Sequence, residues 1–285
     1  MPLGDSIVRL LNTRVLPRWR LALRKDGYDG DNHMIGGEFL DRSVDALTAA
    51  LFPFATGAGL ATPDAGYQVR GIVRDFIALY RARPIRDNTG GSGFNGSICI
   101  YVVARLLAPK LVIESGTWQG HTAWLLAKAC PGAKVISFDL EQSHLSHREP
   151  GVDYRIGDWN KSDIRGDDAA ASLVFFDDHV SQAQRIREAH ERGFRTLLLD
   201  DDVPAEALFV TGVPPAPTAA MLMSAPEPEA SEIEWMHRGR QRRLTCSRDD
   251  WRARDLIAEY RRLPDLASAS HYRLHNGMSL LRLKD

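Results

Sequence analysis

The chain has 285 residues, of which 44% are hydrophobic and 26% charged, as in a globular protein with a large apolar core. Its 36 basic and 37 acidic side chains give a net charge of −1, which argues against a general nucleic-acid-binding protein. The three cysteines form no C-x-x-C pair, which argues against zinc fingers and disulfide scaffolds. No apolar run reaches the ~18 residues of a transmembrane span, which argues against a membrane-spanning protein. We therefore expect a cytoplasmic protein.

The first third of the chain is predicted to be helical. Residues 1–25 interleave apolar and basic side chains, which favours an amphipathic helix that packs on its own domain or on a partner subunit. Contact of this segment with an anionic membrane surface is the less favoured alternative. Further helices are predicted at 38–52, 67–82 and 97–107. Residues 1–96 are thus predicted to form an N-terminal helical extension or cap, and a homo-oligomer through its apolar helices stays open.

Four short apolar runs, at 110–114, 134–139, 172–177 and 195–200, each end in a carboxylate. A weaker strand is predicted at 153–156, and helices at 119–130 and 181–192 separate the runs. Apolar strands that alternate with helices predict an α/β, Rossmann-like, doubly wound and mostly parallel sheet. Because the carboxyl ends of parallel strands share one edge, we expect the four terminal carboxylates to line a ligand-binding rim.

The last part of the chain differs in composition. Residues 203–249 contain six prolines and are predicted to form a lid or a substrate insertion within a domain that spans 97–285. A helix is predicted at 250–262. The Asn276-Gly277 pair then lies between apolar runs at 271–275 and 278–283, which predicts an antiparallel hairpin.

The first apolar run leads into a turn with two glycines, because residues 114–120 read E-S-G-T-W-Q-G. The glycines allow a sharp turn and a close approach of a ligand to the following helix. Their spacing differs from the G-x-G-x-x-G of dinucleotide-binding folds. Glu114 suits a cationic or amine-bearing ligand, and Asp139 stands where α/β cofactor sites bind ribose hydroxyls. A second glycine-rich segment, residues 88–96, is predicted to be either a plain connector or a loop over the ligand.

This turn resembles the first motif of the class I S-adenosylmethionine (SAM)-dependent methyltransferases, and the terminal hairpin resembles the antiparallel pair that closes their seven-stranded sheet. The resemblance covers about 97–202 and, by architecture, 265–285. It implies SAM as the cofactor. The implied binding residues are Gly116, Thr117, Gln119 and Gly120 at the amino-acid end, Asp139 at the ribose, and Gly157, Asp158 and Trp159 at the adenine. The methionine amine would be bound by Glu114 or by nearby backbone carbonyls. Many family members have a third glycine where this chain has Trp118.

A second group of polar residues follows two neighbouring strands. Residues 175–179 read F-F-D-D-H and residues 199–202 read L-D-D-D, so five carboxylates and one imidazole are expected at the same rim. Their mutual repulsion would be relieved by a hard divalent ion with oxygen ligands. The alternative is that Asp178 and Asp202 only cap helices.

This second group resembles the metal-dependent small-molecule O-methyltransferases, which act on sugars and natural products, and the related cephalosporin-hydroxylase-like proteins. The resemblance implies Mg²⁺ bound by Asp177, Asp201 and Asp202, with His179 or Asp178 as the general base. The segment departs from the family's common Asp-Gly-x-His form, so the choice of ligands among the aspartates stays open.

The predicted function is SAM-dependent methyl transfer to a hydroxyl of a small molecule, with help from Mg²⁺ and without nucleic-acid partners. A metal-dependent hydroxylase-like enzyme and a non-catalytic SAM-fold binding protein are the alternatives. Neither residues 1–96 nor residues 203–249 carry a motif that identifies the acceptor.

Overall fold

The computed structural model describes residues 39–166, 171–207, 215–225, 232–237, 239–272 and 277–285. The strands are β1 (Leu111–Ser115), β2 (Lys134–Asp139), β3 (Val152–Ile156), β4 (Ser172–Phe176), β5 (Thr196–Leu199), β6 (Glu232–His237), β7 (Arg240–Thr245), β8 (Ile257–Arg262) and β9 (Ser279–Leu283). The helices are α1 (Leu40–Gly57), α2 (Gly66–Arg81), α3 (Phe94–Leu107), α4 (His121–Ala129), α5 (Gln182–Glu191), α6 (Ala219–Ser224), α7 (Arg248–Leu256) and α8 (Ala267–Ser270).

Seven of the strands form one sheet in the order β3-β2-β1-β4-β5-β9-β8. The first five strands in this order run parallel, whereas β9 pairs antiparallel with both β5 and β8. The predicted α/β, Rossmann-like sheet with an antiparallel pair at its C-terminal end is therefore confirmed. The strand order reverses between β1 and β4, where open α/β sheets bind ligands.

Each face of the sheet packs against its own set of helices. Side chains alternate along a strand, so Val112 of β1 faces one side and Ile113 faces the other. The Val112 side packs against α1, α2, α3 and α4 in one apolar cluster. The Ile113 side packs against α5, α6 and α7 in a second cluster. The helices before β1 thus contribute to the core that supports the sheet.

The antiparallel pair consists of β8 and β9, whereas the sequence predicts a hairpin of residues 271–275 and 278–283. The predicted helix 250–262 ends at Leu256, and the following residues form β8, which pairs with β9. β9 pairs with β5 on one edge and with β8 on the other, so its partner differs from the predicted one, and residues 273–276 lie outside the described residues. Gly277 instead allows a close approach: its carbonyl accepts a hydrogen bond from the Asp202 backbone N–H at 2.7 Å, and a Cβ there would lie 2.8 Å from the Asp202 carbonyl oxygen.

The predicted insertion contains regular structure where it is described. It includes α6 and the two-stranded ribbon of β6 and β7, whose Ile233 and Leu244 pack on the Ile113 side of the sheet. Residues 208–214 and 226–231 of this insertion lie outside the described residues, as do the amphipathic segment 1–25 and the Asn276 half of the predicted turn. Of the helices in the described ranges, none is both long and apolar enough to cross a membrane.

Candidate active site

A cavity of about 370 Å³ lies at the carboxyl ends of β1, β2 and β4. Its volume is within the range of small-molecule sites, and its position is the point where the strand order reverses. Seven residues predicted from the sequence line its wall: Gly116, Asp139, Gly157, Asp158, Asp177, Asp178 and His179.

The turn after β1 is held against the ends of β2 and β4. Gly116 has a φ of 102°, and a Cβ at this position would lie 2.2 Å from the carbonyl oxygen of Asp177, so only glycine fits. The backbone N–H groups of Thr117 and Trp118 donate to Oδ2 of Asp139 at 3.0 and 2.9 Å. The Asp139 carboxylate therefore fixes the turn and at the same time faces the cavity.

Trp118 lines the cavity from a strained backbone position. Its φ of 49° lies in the left-handed region, which a bulky residue rarely adopts. The indole N–H donates to the Thr89 carbonyl at 3.1 Å, and the ring lies against Gly90 and against His144, whose ring centroid is 4.5 Å away. Residues 88–93, the part of the predicted loop before α3, are thus tied to the turn and contribute Gly90 to the cavity wall.

Other residues predicted to bind the cofactor lie behind the cavity wall. The hydroxyl of Thr117 is hydrogen-bonded to that of Ser137 at 2.6 Å. Gln119 accepts hydrogen bonds from the backbone of 146–147, and Gly120 gives that segment room, because a Cβ there would lie 2.2 Å from the His147 carbonyl oxygen. Trp159 is fully buried in the apolar cluster on the Ile113 side. These residues shape the turns, whereas Gly157 and Asp158 reach the cavity.

Glu114 is fully buried beneath the turn, not in the cavity wall. One of its oxygens accepts a hydrogen bond from Ser137, and the other, Oε1, has no partner among the described residues. Burial raises the pKa of Glu114 to about 8, against the effect of the Ser137 hydrogen bond and with a contribution from the charge of Asp139. Glu114 therefore carries a proton at neutral pH in the folded protein.

The acidic residues after β4 and β5 have different surroundings. Asp178 accepts hydrogen bonds from Ser115 at 2.5 Å and from Nε of Arg185 at 2.9 Å. The fully buried Asp202 accepts from the Ala220 backbone N–H at 2.6 Å and from the Tyr260 hydroxyl at 2.8 Å. Both carboxylates are therefore occupied by protein donors.

Asp177, His179 and Asp201 form a group that could hold a metal ion. One ligand atom from each of them lies within 4.8 Å of the other two. Desolvation, and after it the carboxylates of Asp200 and Asp201, raise the pKa of Asp177 well above its ordinary value. His179 and Asp201 both have left-handed backbones, with φ of 57° and 51°. Asp202, predicted as a ligand, lies apart from this group, and His179, predicted as a base, is in it.

Arg185 is a residue of the cavity that the sequence prediction missed. Its side chain is 2% exposed and forms ion pairs with Asp178, Asp158 and Glu188 at 2.8, 3.0 and 2.6 Å. Burial alone would lower the pKa of Arg185, but these carboxylates outweigh it and leave the pKa raised. The signal in the sequence was an arginine on the buried stripe of α5, with Gln182 at i−3.

Comparison with known proteins adds distant structural neighbours. No protein-family model matches the sequence, and no curated protein is similar to it at a significant level. The chain is similar to the O-methyltransferase TomG from Streptomyces achromogenes, which is involved in tomaymycin synthesis and was solved with SAM. The two sequences are 13% identical, the alignment covers 83% of this chain and 98% of TomG, and the TM-score is 0.42. An O-methyltransferase from Bacillus cereus in complex with S-adenosylhomocysteine (SAH) gives 13% identity, coverage of 83% and 99%, and a TM-score of 0.41.

A third neighbour is cmcI with SAH, at 14% identity and a TM-score of 0.35, for which the alignment spans 40% of this chain and 63% of that chain. The chain thus spans less than two thirds of the length of cmcI. Likenesses at this distance do not assign an activity. The fold is established by the strand order of the sheet, and the function is proposed below from the cavity.

Proposed function

We propose that the protein is a SAM-dependent O-methyltransferase that acts on a hydroxyl of a small molecule with the assistance of Mg²⁺. The observation that carries this proposal is the cavity at the reversal of strand order, where a glycine turn clamped by Asp139 lies beside the group of Asp177, His179 and Asp201. The binding site of a cationic methyl donor and the binding site of a divalent ion would then share one wall of the cavity.

The cavity wall fits SAM in shape and in charge. Gly157 lies in the wall with a φ of 124°, and a Cβ there would meet no protein atom within 4 Å, so its backbone leaves room for a flat ring such as adenine. The carboxylates of Asp139, Asp158, Asp177 and Asp178 outnumber the one guanidinium in the wall, which favours a sulfonium ligand. For Asp139 we propose that Oδ1 accepts hydrogen bonds from the ribose hydroxyls, since Oδ2 already accepts from the turn.

The acidic group fits a divalent ion. Two carboxylates and one imidazole suit Mg²⁺, which uses few carboxylates and keeps several waters, and they also suit Mn²⁺. Desolvation is the main cause of the raised pKa of Asp177, and an ion held by Asp177 and Asp201 would offset the repulsion between carboxylates that adds to it. We therefore propose His179 as the third ligand in place of Asp202.

When bound, SAM supplies an activated methyl group and the ion lowers the pKa of an acceptor hydroxyl. The chain's residues do the rest. Trp118 and Gly90 line the cavity and limit the access of water, and Asp177 and Asp201 would hold the ion beside the acceptor hydroxyl. Of the two predicted bases, His179 has an exposed ring at the cavity, whereas both oxygens of Asp178 accept hydrogen bonds, from Arg185 and from the Val180 backbone N–H.

The acceptor site itself is proposed to lie between the cavity and the two parts of the chain outside the α/β core. We propose that residues 1–96 form a cap and that residues 203–249 form the substrate insertion of a domain at 97–285. The described parts of both segments pack on the core, through α1 and α2 on one face and through α6 and the β6–β7 ribbon on the other.

Calorimetry with SAM and SAH tests the cofactor, with Asp139→Asn as the variant expected to bind more weakly and Asp153→Asn, on the surface of β3, as the matched control. A methyl-transfer screen over hydroxylated sugars and aromatic compounds, with and without EDTA, tests the acceptor and the ion. No binding at high micromolar SAM would refute the proposal. Binding without transfer to any acceptor would favour the non-catalytic alternative, and full activity in EDTA would remove the ion from the reaction.

Titration of Mn²⁺ into His179→Gln separates the two roles considered for His179. A loss of ion affinity agrees with its role as a ligand. An unchanged affinity combined with a loss of rate would make His179 the proton acceptor.

A further inference from the structure

One buried guanidinium joins three segments of the chain at the cavity. Arg185 of α5 forms ion pairs with Asp178, which follows β4, with Asp158, which follows β3, and with Glu188 one turn further along its own helix. Asp158 and Asp178 both line the cavity, but they lie in different parts of the proposed site. Asp158 belongs to the segment proposed for the adenine, and Asp178 stands between the two proposed ion ligands Asp177 and His179.

The geometry of these contacts depends on the planar fork of arginine. Nε and Nη2 of Arg185 lie 2.9 and 2.8 Å from Oδ2 of Asp178, while Nη1 lies 3.0 Å from Oδ1 of Asp158. A rigid guanidinium can bind two carboxylates on different edges at the same time, whereas a lysine ammonium is a single point charge on a flexible stem. Charge neutralisation alone would be provided by either residue, but a bridge of fixed length requires arginine.

Further contacts immobilise both ends of the bridge. The backbone N–H of Asn160 donates to Oδ1 of Asp158 at 3.1 Å, and the Ser115 hydroxyl donates to Oδ2 of Asp178 at 2.5 Å. Glu188 holds the guanidinium from the side away from the cavity wall, and its other oxygen accepts from Asn160 at 2.8 Å. A displacement of the segment at Asp158 would therefore be transmitted to the segment that carries Asp177 and His179.

We infer that Arg185 is a positioning residue that couples the cofactor end of the cavity to its ion end by holding Asp158 and Asp178 in one rigid unit. This inference rests on the proposed function, because it assigns SAM to the Asp158 end and a divalent ion to the Asp177–His179 end. A ligand that displaces one end of this unit also displaces the other, so binding at the cofactor end and binding at the ion end are coupled.

The test uses the full chain and two binding measurements that require no turnover. SAH affinity is measured by calorimetry, and Mn²⁺ affinity by the electron paramagnetic resonance signal of the free ion. In the wild-type protein, saturating SAH should tighten Mn²⁺ binding at least about fivefold, and Mn²⁺ should tighten SAH binding by the same factor. This readout depends on no variant, so it also decides the inference if a substitution at 185 prevents folding.

Arg185→Lys keeps the charge and removes the fork. We expect it to weaken Mn²⁺ and SAH binding about tenfold each and to abolish the coupling between them. One control should behave as wild type: Arg155→Lys, the same change in a pair with Asp153 outside the cavity. Thermal unfolding of each variant without ligands verifies the fold.

The outcomes separate this inference from the proposed function. Wild-type protein that binds neither SAH nor Mn²⁺ overturns both. Wild-type protein that binds both without coupling, or Arg185→Lys protein with wild-type affinities and coupling, overturns the bridge and leaves the proposed function in place. A lower melting temperature of Arg185→Lys with unchanged affinities would show that the guanidinium only stabilises the fold, and it overturns the inference as well.

Discussion

The buried carboxyl of Glu114 should make the protein more stable at low pH than at high pH, and Glu114→Gln should remove this dependence. In the unfolded chain Glu114 titrates at its ordinary pKa of 4.5, whereas in the folded protein burial raises its pKa to about 8. Between these values the unfolded state has lost the proton and the folded state keeps it. Stability therefore falls as the pH rises through this window, and it is independent of this group below and above the window.

The magnitude follows from the two pKa values. Each pH unit in the window costs about 1.4 kcal/mol, so at pH 7 the penalty from Glu114 is about 3 kcal/mol. Glutamine has no such penalty, and its carbonyl can still accept the hydrogen bond from Ser137. Its amide group would replace Oε1, which has no partner among the described residues, and an unpaired buried donor costs about 1–3 kcal/mol. The net gain at pH 7 should therefore be modest, and the change in slope should be the clear signal.

Urea unfolding of wild type and Glu114→Gln from pH 4 to pH 9, without ligands, measures this slope. The difference in unfolding free energy should grow by about 1.4 kcal/mol per unit between pH 5 and pH 8 and then level off. Glu141→Gln, at an exposed position on the same side of the fold, removes the same charge and should leave the slope as in wild type. Parallel curves for wild type and Glu114→Gln would refute the argument that Glu114 is protonated in the folded protein.

Two further predictions separate structural from ligand-binding residues. Asp201→Asn should weaken Mn²⁺ binding at least about tenfold with little loss of stability. Asp202→Ala should leave the Ala220 N–H and the Tyr260 hydroxyl unpaired, which should lower the free energy of unfolding in urea by about 2–5 kcal/mol. The reverse pattern would restore Asp202 as the ligand. Gly116→Ala should lower the free energy of unfolding by about 2–4 kcal/mol, because its Cβ would lie 2.2 Å from the Asp177 carbonyl oxygen. Gly132→Ala, whose Cβ would have no atom within 4 Å, should change it by no more than about 0.5 kcal/mol. Equal effects of the two substitutions would contradict the close approach of the turn to the end of β4.

The sequence predicted the parts of the fold that depend on local pattern. The apolar runs and the helices between them were found within a few residues, because burial on both faces of a parallel strand leaves a continuous apolar run. The partner of β9 was missed, because strand pairing depends on contacts far apart in sequence. Residues 257–262, which read I-A-E-Y-R-R, have no apolar run that distinguishes a strand from the end of a helix.

For the candidate site, the sequence indicated the rim but not the surroundings of each carboxylate. The sequence predicted five aspartates at two neighbouring strand ends, and in the structure these aspartates have different hydrogen-bond partners. Asp178 pairs with Arg185 and Asp202 with Tyr260, and both partners come from elements that follow in the chain. Which acid remains available for a ligand is therefore decided by tertiary packing, and the spacing of the aspartates alone could not have shown it.

The left-handed backbone of Trp118 makes thermal stability a poor guide to this turn. A glycine there would adopt the observed φ of 49° without strain, but it would also remove the ring that contacts Thr89 and His144. A melting temperature reports only the sum of these two opposing effects. At this position, a variant that survives heating as well as wild type can still have lost a side chain that lines the cavity.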